Sequence, residues 1–180
     1  MRAADVLVEE HNVIMKVVHA AKAEAARIAA TGKANTKRIH EMTEFFRDFV
    51  DASHHGKEEQ DYFPRLEARG IPRMMGPIGC MLTEHGIGRD EVAAIARALS
   101  AFEKGKPHAA AELAQHLEAY ADLLAAHIHK ENEILFKLGD TVLTDDDEAD
   151  LIHNFNITDE EGIGDAKYRR YRAWAETLAD

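Results

Sequence analysis

The sequence is poor in cysteine, proline and aromatic residues, with one Cys, four Pro and 7% aromatics in 180 residues, and it lacks long apolar runs. A single thiol, Cys80, excludes an intrachain disulfide and fits a reducing compartment. No stretch approaches the roughly 18 apolar residues of a membrane-spanning helix. The N-terminal MRAADVLVEEH sets Glu9 and Glu10 where a secretory signal would continue apolar. Basic residues are also outnumbered: 22 Lys and Arg against 33 Asp and Glu give a formal charge of −11. That balance argues against nucleic acid and anionic membrane surfaces, whose affinity comes from clustered Lys and Arg. Neither a G-x-G-x-x-G turn after a strand nor a Walker pattern is present. A soluble cytoplasmic domain is expected.

What the chain has is histidine, 11 in all, and neutral imidazole is the commonest protein metal ligand. Gly and Pro collect around residues 31–33, 69–77, 105–107 and 162–164. Between them, Ala-, Leu-, Glu- and Lys-rich stretches have helical spacing and no strand alternation. The spacing predicts helices near 3–30, 36–69, 78–104 and 108–138, with Asn35 or Thr36 as a cap and Pro64 as a kink. A shorter helix near 145–155 follows Thr144, its Asp145, Asp146 and Asp147 placed against the helix dipole. A last helix near 166–179 puts Tyr168, Tyr171, Trp174 and Leu178 on one side. The fold class is all-α: an up-down four-helix bundle over residues 1–140, with a C-terminal helical extension over 141–180 packed on it.

An internal repeat carries the chemistry. His54-His55-Gly56-Lys57-Glu58 matches His127-Ile128-His129-Lys130-Glu131, and upstream Glu10-His11 matches Glu84-His85. Each half therefore reads E-H followed by H-x-x-x-E. That pattern alone is weak, since His40/Glu44, His55/Glu59, His108/Glu112 and His129/Glu133 share it and such pairs usually decorate a solvated face. The face discriminates. Phe46, Val50, His54, Glu58, Tyr62 and Leu66 form one apolar stripe; Leu117, Tyr120, Leu124, His127, Glu131, Leu135 and Leu138 form another. His11 runs with Leu7, Ile14 and Val18, and His85 with Ile78, Leu82, Val92, Ile95 and Leu99. His55 and Glu59, like His129 and Glu133, fall on water-facing rows.

Six polar residues, His11, His54, Glu58, His85, His127 and Glu131, thus point into one core. Two buried carboxylates cost several kcal/mol each unless paired, protonated or bound to a cation. No Lys or Arg shares their stripes, so a metal cluster is the expected solution. Four imidazoles, two carboxylates and no thiolate disfavour structural zinc and iron–sulfur sites. Two His and one Glu per ion suit non-haem iron with open positions. Ferritin-like Glu-x-x-His motifs do not occur in this chain.

The segments EEHNVI (9–14), HHGKEEQDYFPRLEARGIP (54–72), GPIGCMLTEHGIGR (76–89) and HIHKENEILF (127–136) resemble the hemerythrin-like, HHE cation-binding family. The resemblance implies a four-helix bundle holding two iron ions, oxo- or hydroxo-bridged. It also implies His11, His54, Glu58, His85, His127 and Glu131 as ligands, both glutamates bridging. Oxygen carriers of the family have a fifth histidine, H-x-x-x-H, and a fourth-helix H-x-x-x-x-D; here Arg89 and Asn132 stand at those positions. The four-His, two-Glu set is similar to that of di-iron proteins linked to nitric oxide response and iron–sulfur repair, which also carry an N-terminal cysteine-containing domain. The expected role is binding or reacting with O2, peroxide or NO in redox response, sensing or detoxification. Iron storage or sensing without turnover is the alternative, and a metal-free helical interaction module is the third reading.

Several neighbours carry open readings. Tyr62 is either a phenol near a bridging ligand or a core replacement for Leu. Gly86 and Gly88 either leave room for a small ligand or permit close packing. Cys80 is expected to be a buried, inert thiol. His19, His40, His108, His116 and His153 are expected to be mostly solvated, while His55 and His129 are candidates for an outer or exchangeable ligand.

Overall fold

A computed structural model describes residues 2–178. Among them six helices and no strand occur. Helix α1 is Ala3–Thr31; α2 covers 36–68; α3 is Pro77–Glu103; α4 covers 109–142. These four form the bundle, with α1 and α3 both packed along α4 and α2 closing the ring against α3 and α1. Gly32 ends α1 in the left-handed conformation (φ 66°), its N–H returning to the Ile28 carbonyl. The Asn35 side chain caps α2 by accepting from the Arg38 N–H.

Helices α5, Asp145–Gly162, and α6, Asp165–Glu176, follow. The first runs seven residues beyond its expected end, and the fourth bundle helix runs through position 140. Thr144 caps α5 in a reciprocal pair with Asp147. Asp147 does more than face the dipole. It is buried and takes Arg65 and Arg69 of α2 at 2.6 and 2.7 Å, pinning α5 to the bundle. On α6, Trp174 packs on Phe45, and Tyr171 donates to Asp48 of α2 at 2.7 Å. The C-terminal aromatic side therefore folds back onto the bundle.

Three stretches depart from regular α geometry and matter for the site. Phe46–His55 and Glu58–Tyr62 are π-helical, as is Glu131–Leu135. The Phe63 N–H bonds Glu58 and the Phe136 N–H bonds Glu131, each spanning five residues. The cause is legible in the stripes. In an α-helix four residues overshoot a full turn by about 40°, so repeated four-residue steps drift off one face. Phe46, Val50, His54, Glu58, Tyr62 and Leu66 take five such steps in a row, yet all are buried. Wider π turns absorb the drift; such turns recur at functional sites. The same turn in α4 buries Gly139 and leaves Leu138 37% exposed, against its expected place on the stripe. Pro64, read as a kink, sits just after the π turn, where its missing N–H costs no regular α bond.

The buried apolar side chains fall into two clusters. One holds Ile14, Val50, Ile95, Leu124 and Ile128; the other holds Leu7, Tyr62, Met81, Leu135 and Phe136. Between them, at the same level on all four helices, lies a layer of polar side chains. Among the described residues no helix is long and apolar enough to cross a membrane.

Candidate metal centre

The polar layer brings all six residues together. His11, His54, Glu58 and Glu131 form one group whose ligand atoms lie within 4.8 Å of one another; His55, Glu58, His85 and His127 form a second. Every member is buried, and Glu58 belongs to both groups.

The imidazoles face inward in pairs. His11 and His54 approach Nε2 to Nε2 at 2.9 Å, and His85 and His127 at 3.2 Å. Glu58 spans the pairs, one oxygen 3.4 Å from His54 Nε2 and the other 3.4 Å from His85 Nε2. Glu131 does likewise with a single oxygen, 3.2 Å from both His11 and His127. None of the four carboxylate oxygens of Glu58 and Glu131 has a hydrogen-bond partner of ordinary geometry, although both residues are wholly buried. Orphaned buried carboxylates are rare and costly. Lone pairs from six side chains converging on one enclosed volume fit a cation.

The opposite nitrogens are held from outside. His54 Nδ1 donates to Glu10 at 2.8 Å and His127 Nδ1 to Glu84 at 2.9 Å. His11 Nδ1 donates to Asn132 Oδ1 at 2.8 Å and His85 Nδ1 to Glu59 at 2.7 Å. A carboxylate can only accept, so the proton sits on Nδ1 and Nε2 is left to the interior. Outer partners of this kind orient metal-binding imidazoles and raise their basicity. They obey the sequence repeat: Glu10 matches Glu84, and Glu59 matches Asn132. Lys57 and Lys130 also correspond, bonding Glu10 and Glu84 respectively. Phe63 stacks on His85 and Phe136 on His11, at 5.9 and 5.5 Å between centroids. Asn132, which departs from the oxygen-carrier pattern, thus has a structural task in orienting His11.

Electrostatics point the same way. Burial opposes a charge on His85, but Glu58 and Glu59 outweigh it and raise its pKa to about 9. His11 and His127 are also raised despite burial, chiefly by Glu131. Glu131 is held well below the carboxylate range: burial works against this, and His127 and His11 prevail. The interior attracts positive charge, as protons or as a metal ion.

Two expectations need correction. His55, placed on a water-facing row, is buried and stacks on His85 at 3.8 Å, with its Nε2 unpartnered. The π turns of 46–55 rotate it inward beside His54. His129 is exposed, as its water-facing row predicts, and lies outside the cluster. Cys80 is exposed rather than buried, because it lies on the outward side of the first turns of α3. Helical periodicity does not mark Glu10 and Lys57, both wholly buried. Lys57 bridges Glu10 at 2.5 Å and Asp159 of α5 at 2.6 Å, and Tyr168 of α6 donates to Glu10 at 2.7 Å. Their signal was the repeat itself, since Glu10/Glu84 and Lys57/Lys130 recur with the ligands.

Tyr62 is buried with its hydroxyl unpartnered, facing Gly139, where a Cβ would lie 2.3 Å from the hydroxyl oxygen. His19, His40, His108 and His153 are exposed and His116 half-buried, as expected.

With this geometry in hand, the chain matches the profile of the hemerythrin HHE cation-binding domain over residues 2–138 and belongs to that family. A metal-capable His/Glu cluster in an all-helical bundle is what that membership leads one to find. Uncharacterised proteins of Mycobacterium bovis and Mycobacterium tuberculosis are 25% identical over 170 residues, covering 93% of this chain. The aligned region spans 65% of those relatives, which are therefore longer. No solved structure matches significantly.

Proposed function

We propose that the protein is a hemerythrin-like non-haem di-iron protein that binds or reacts with a small oxidant or diatomic (O2, peroxide or NO) in redox response, sensing or detoxification. The observation that carries this reading is the pair of buried glutamates, Glu58 and Glu131. Each reaches histidines of both inward-facing pairs, and neither has another partner. That arrangement suits two adjacent ions bridged by carboxylates, with His11, His54, His85 and His127 as terminal ligands and His55 beside the second ion. Mixed nitrogen and carboxylate donors without thiolate suit iron. Two irons, oxo- or hydroxo-bridged, would supply reversible one-electron chemistry and exchangeable coordination positions.

The chain's own residues do the rest. Glu10, Glu59, Glu84 and Asn132 hold the imidazole protons on Nδ1 and keep the Nε2 atoms aimed inward. The two apolar clusters exclude water above and below the polar layer. A single cysteine fits a reducing, cytoplasmic setting.

Anaerobic loading with ferrous iron, followed by metal analysis and spectra before and after O2, peroxide and NO, tests the reading. Two irons per chain with oxo-bridged ferric bands after oxidation are expected. Binding of zinc alone, not exchangeable for iron, would overturn it.

A further inference from the structure

A cleft of about 250 Å³ opens between α2 and α3. Its floor is buried and consists of Phe46, His55, Gly88 and Tyr120; Ala93 and Ala96 stand at its rim. The cluster lies directly behind the floor, since His55 stacks on His85 and shares a ligand group with Glu58, His85 and His127. A separate small void beside His85 and His127 shares His55, Gly88 and Tyr120 with the cleft. A Cβ at Gly88 would stand 3.5 Å from the Tyr120 ring, so this glycine keeps the partition thin.

Size, charge and polarity of the cleft define what it takes. A water occupies about 30 Å³ and benzene fits a cavity of about 150 Å³, so this volume exceeds a diatomic's need and suits one substituted ring. The charges around it are already matched: Arg89 pairs with Asp51 at 2.8 Å and Glu59 at 2.7 Å, and Arg47 with Asp48 at 2.9 Å. Among the described residues an ionic head would find no free countercharge there. Among the described residues, the buried polar atom of the lining without a partner is the Nε2 of His55, a side chain only 5% exposed. We infer that the cleft binds a small neutral organic molecule, a single ring or branched alkyl body carrying one hydroxyl or hydroperoxyl head, with the head against His55. The inference rests on the proposed function for what lies behind His55, and on the cleft alone for the ligand's shape and charge.

The test is a nuclear magnetic resonance titration of the metal-free full-length chain with 2-phenylpropan-2-ol, benzoate and benzylammonium. The alcohol is expected to shift amide signals of Phe46, His55, Gly88 and Tyr120, and to bind at least about tenfold more tightly than either ion. Ala96→Phe, which fills the rim, is expected to weaken the alcohol by a similar factor while iron uptake stays as in the parent protein. Absence of shifts in the cleft, equal binding of the ions, or undiminished binding by Ala96→Phe overturns the inference. Should that variant not fold, the shift map of the parent protein decides. With iron-loaded protein, faster oxidation by cumene hydroperoxide than by hydrogen peroxide, lost in Ala96→Phe, supports the hydroperoxyl head; equal rates with the alcohol still bound support the hydroxyl. If the alcohol binds but no iron is taken up, the proposed function fails and the cleft assignment stands. If iron loads and reacts but no alcohol binds, this inference alone fails.

Discussion

Glu10 and His54 are joined by a 2.8 Å hydrogen bond that ties the orientation of a candidate ligand to the charge balance of the core. Glu10 also receives Lys57 and Tyr168, so one carboxylate serves a cluster imidazole, a wholly buried ammonium and the C-terminal helix α6. Its counterpart Glu84 holds His127 in the same way but pairs with Lys130, which is one-third exposed. The halves of the repeat share the orienting bond and differ in what surrounds it.

That difference predicts unequal mutants. Glu10→Gln leaves Lys57 with Asp159 as its remaining carboxylate and is expected to cost about 1.5–3 kcal/mol, the usual worth of a hydrogen bond to a charged group. Glu84→Gln is expected to cost about 1 kcal/mol or less, because Lys130 can turn to water. Both are expected to weaken metal binding by about 10–100-fold, the typical loss of an outer partner. Denaturation with and without metal separates the two effects.

Replacing a bridging carboxylate is expected to trade function for stability. In Glu58→Met, two orphaned buried oxygens give way to an apolar chain of similar size. The metal-free protein is expected to gain about 1–3 kcal/mol, while metal uptake falls. Calorimetry of the metal-free protein with metal analysis of loaded samples checks this; a lower melting temperature without metal would contradict it.

Tyr62 and Gly139 are expected to be coupled. A methyl at position 139 would meet the Tyr62 hydroxyl, so Gly139→Ala is expected to destabilise by about 1–3 kcal/mol despite alanine's better helix propensity. Tyr62→Phe removes an unpartnered hydroxyl and is expected to be neutral or stabilising. The double variant is expected to recover part of the loss, as a double-mutant cycle would show.

Docking of α6 is expected to depend on pH through Asp48. Burial tends to raise this carboxyl, but Arg47, Lys167 and Tyr171 outweigh it and lower its pKa to about 2. A depressed folded-state pKa contributes stability above the ordinary value of 3.8, lost as pH falls toward 2. Fluorescence of Trp174, the single tryptophan, is expected to report loosening of α6 in that window and to be flat from pH 5 to 8. Asp48→Asn is expected to move the loosening to neutral pH.

Much of the molecule is readable along the chain. Helical spacing broken by Gly and Pro marks the four bundle helices and both C-terminal ones, and a repeat of E-H and H-x-x-x-E selects the six residues that converge in the interior. These features are local: they depend on which residue types recur at which intervals, and burial of an apolar stripe follows from that. What tertiary structure decided is the turn of the helix and the identity of the neighbours. A uniform 3.6-residue period puts His55 outside, whereas packing unwinds 46–55 and brings it against His85. The unbroken four-residue steps from Phe46 to Leu66 were the local sign of that unwinding. Glu10 and Lys57 sit 47 positions apart, and Asp159 and Tyr168 lie a further hundred residues on. No interval along the chain specifies such meetings, because whether a charged side chain is buried or solvated depends on which surface the fold lays over it.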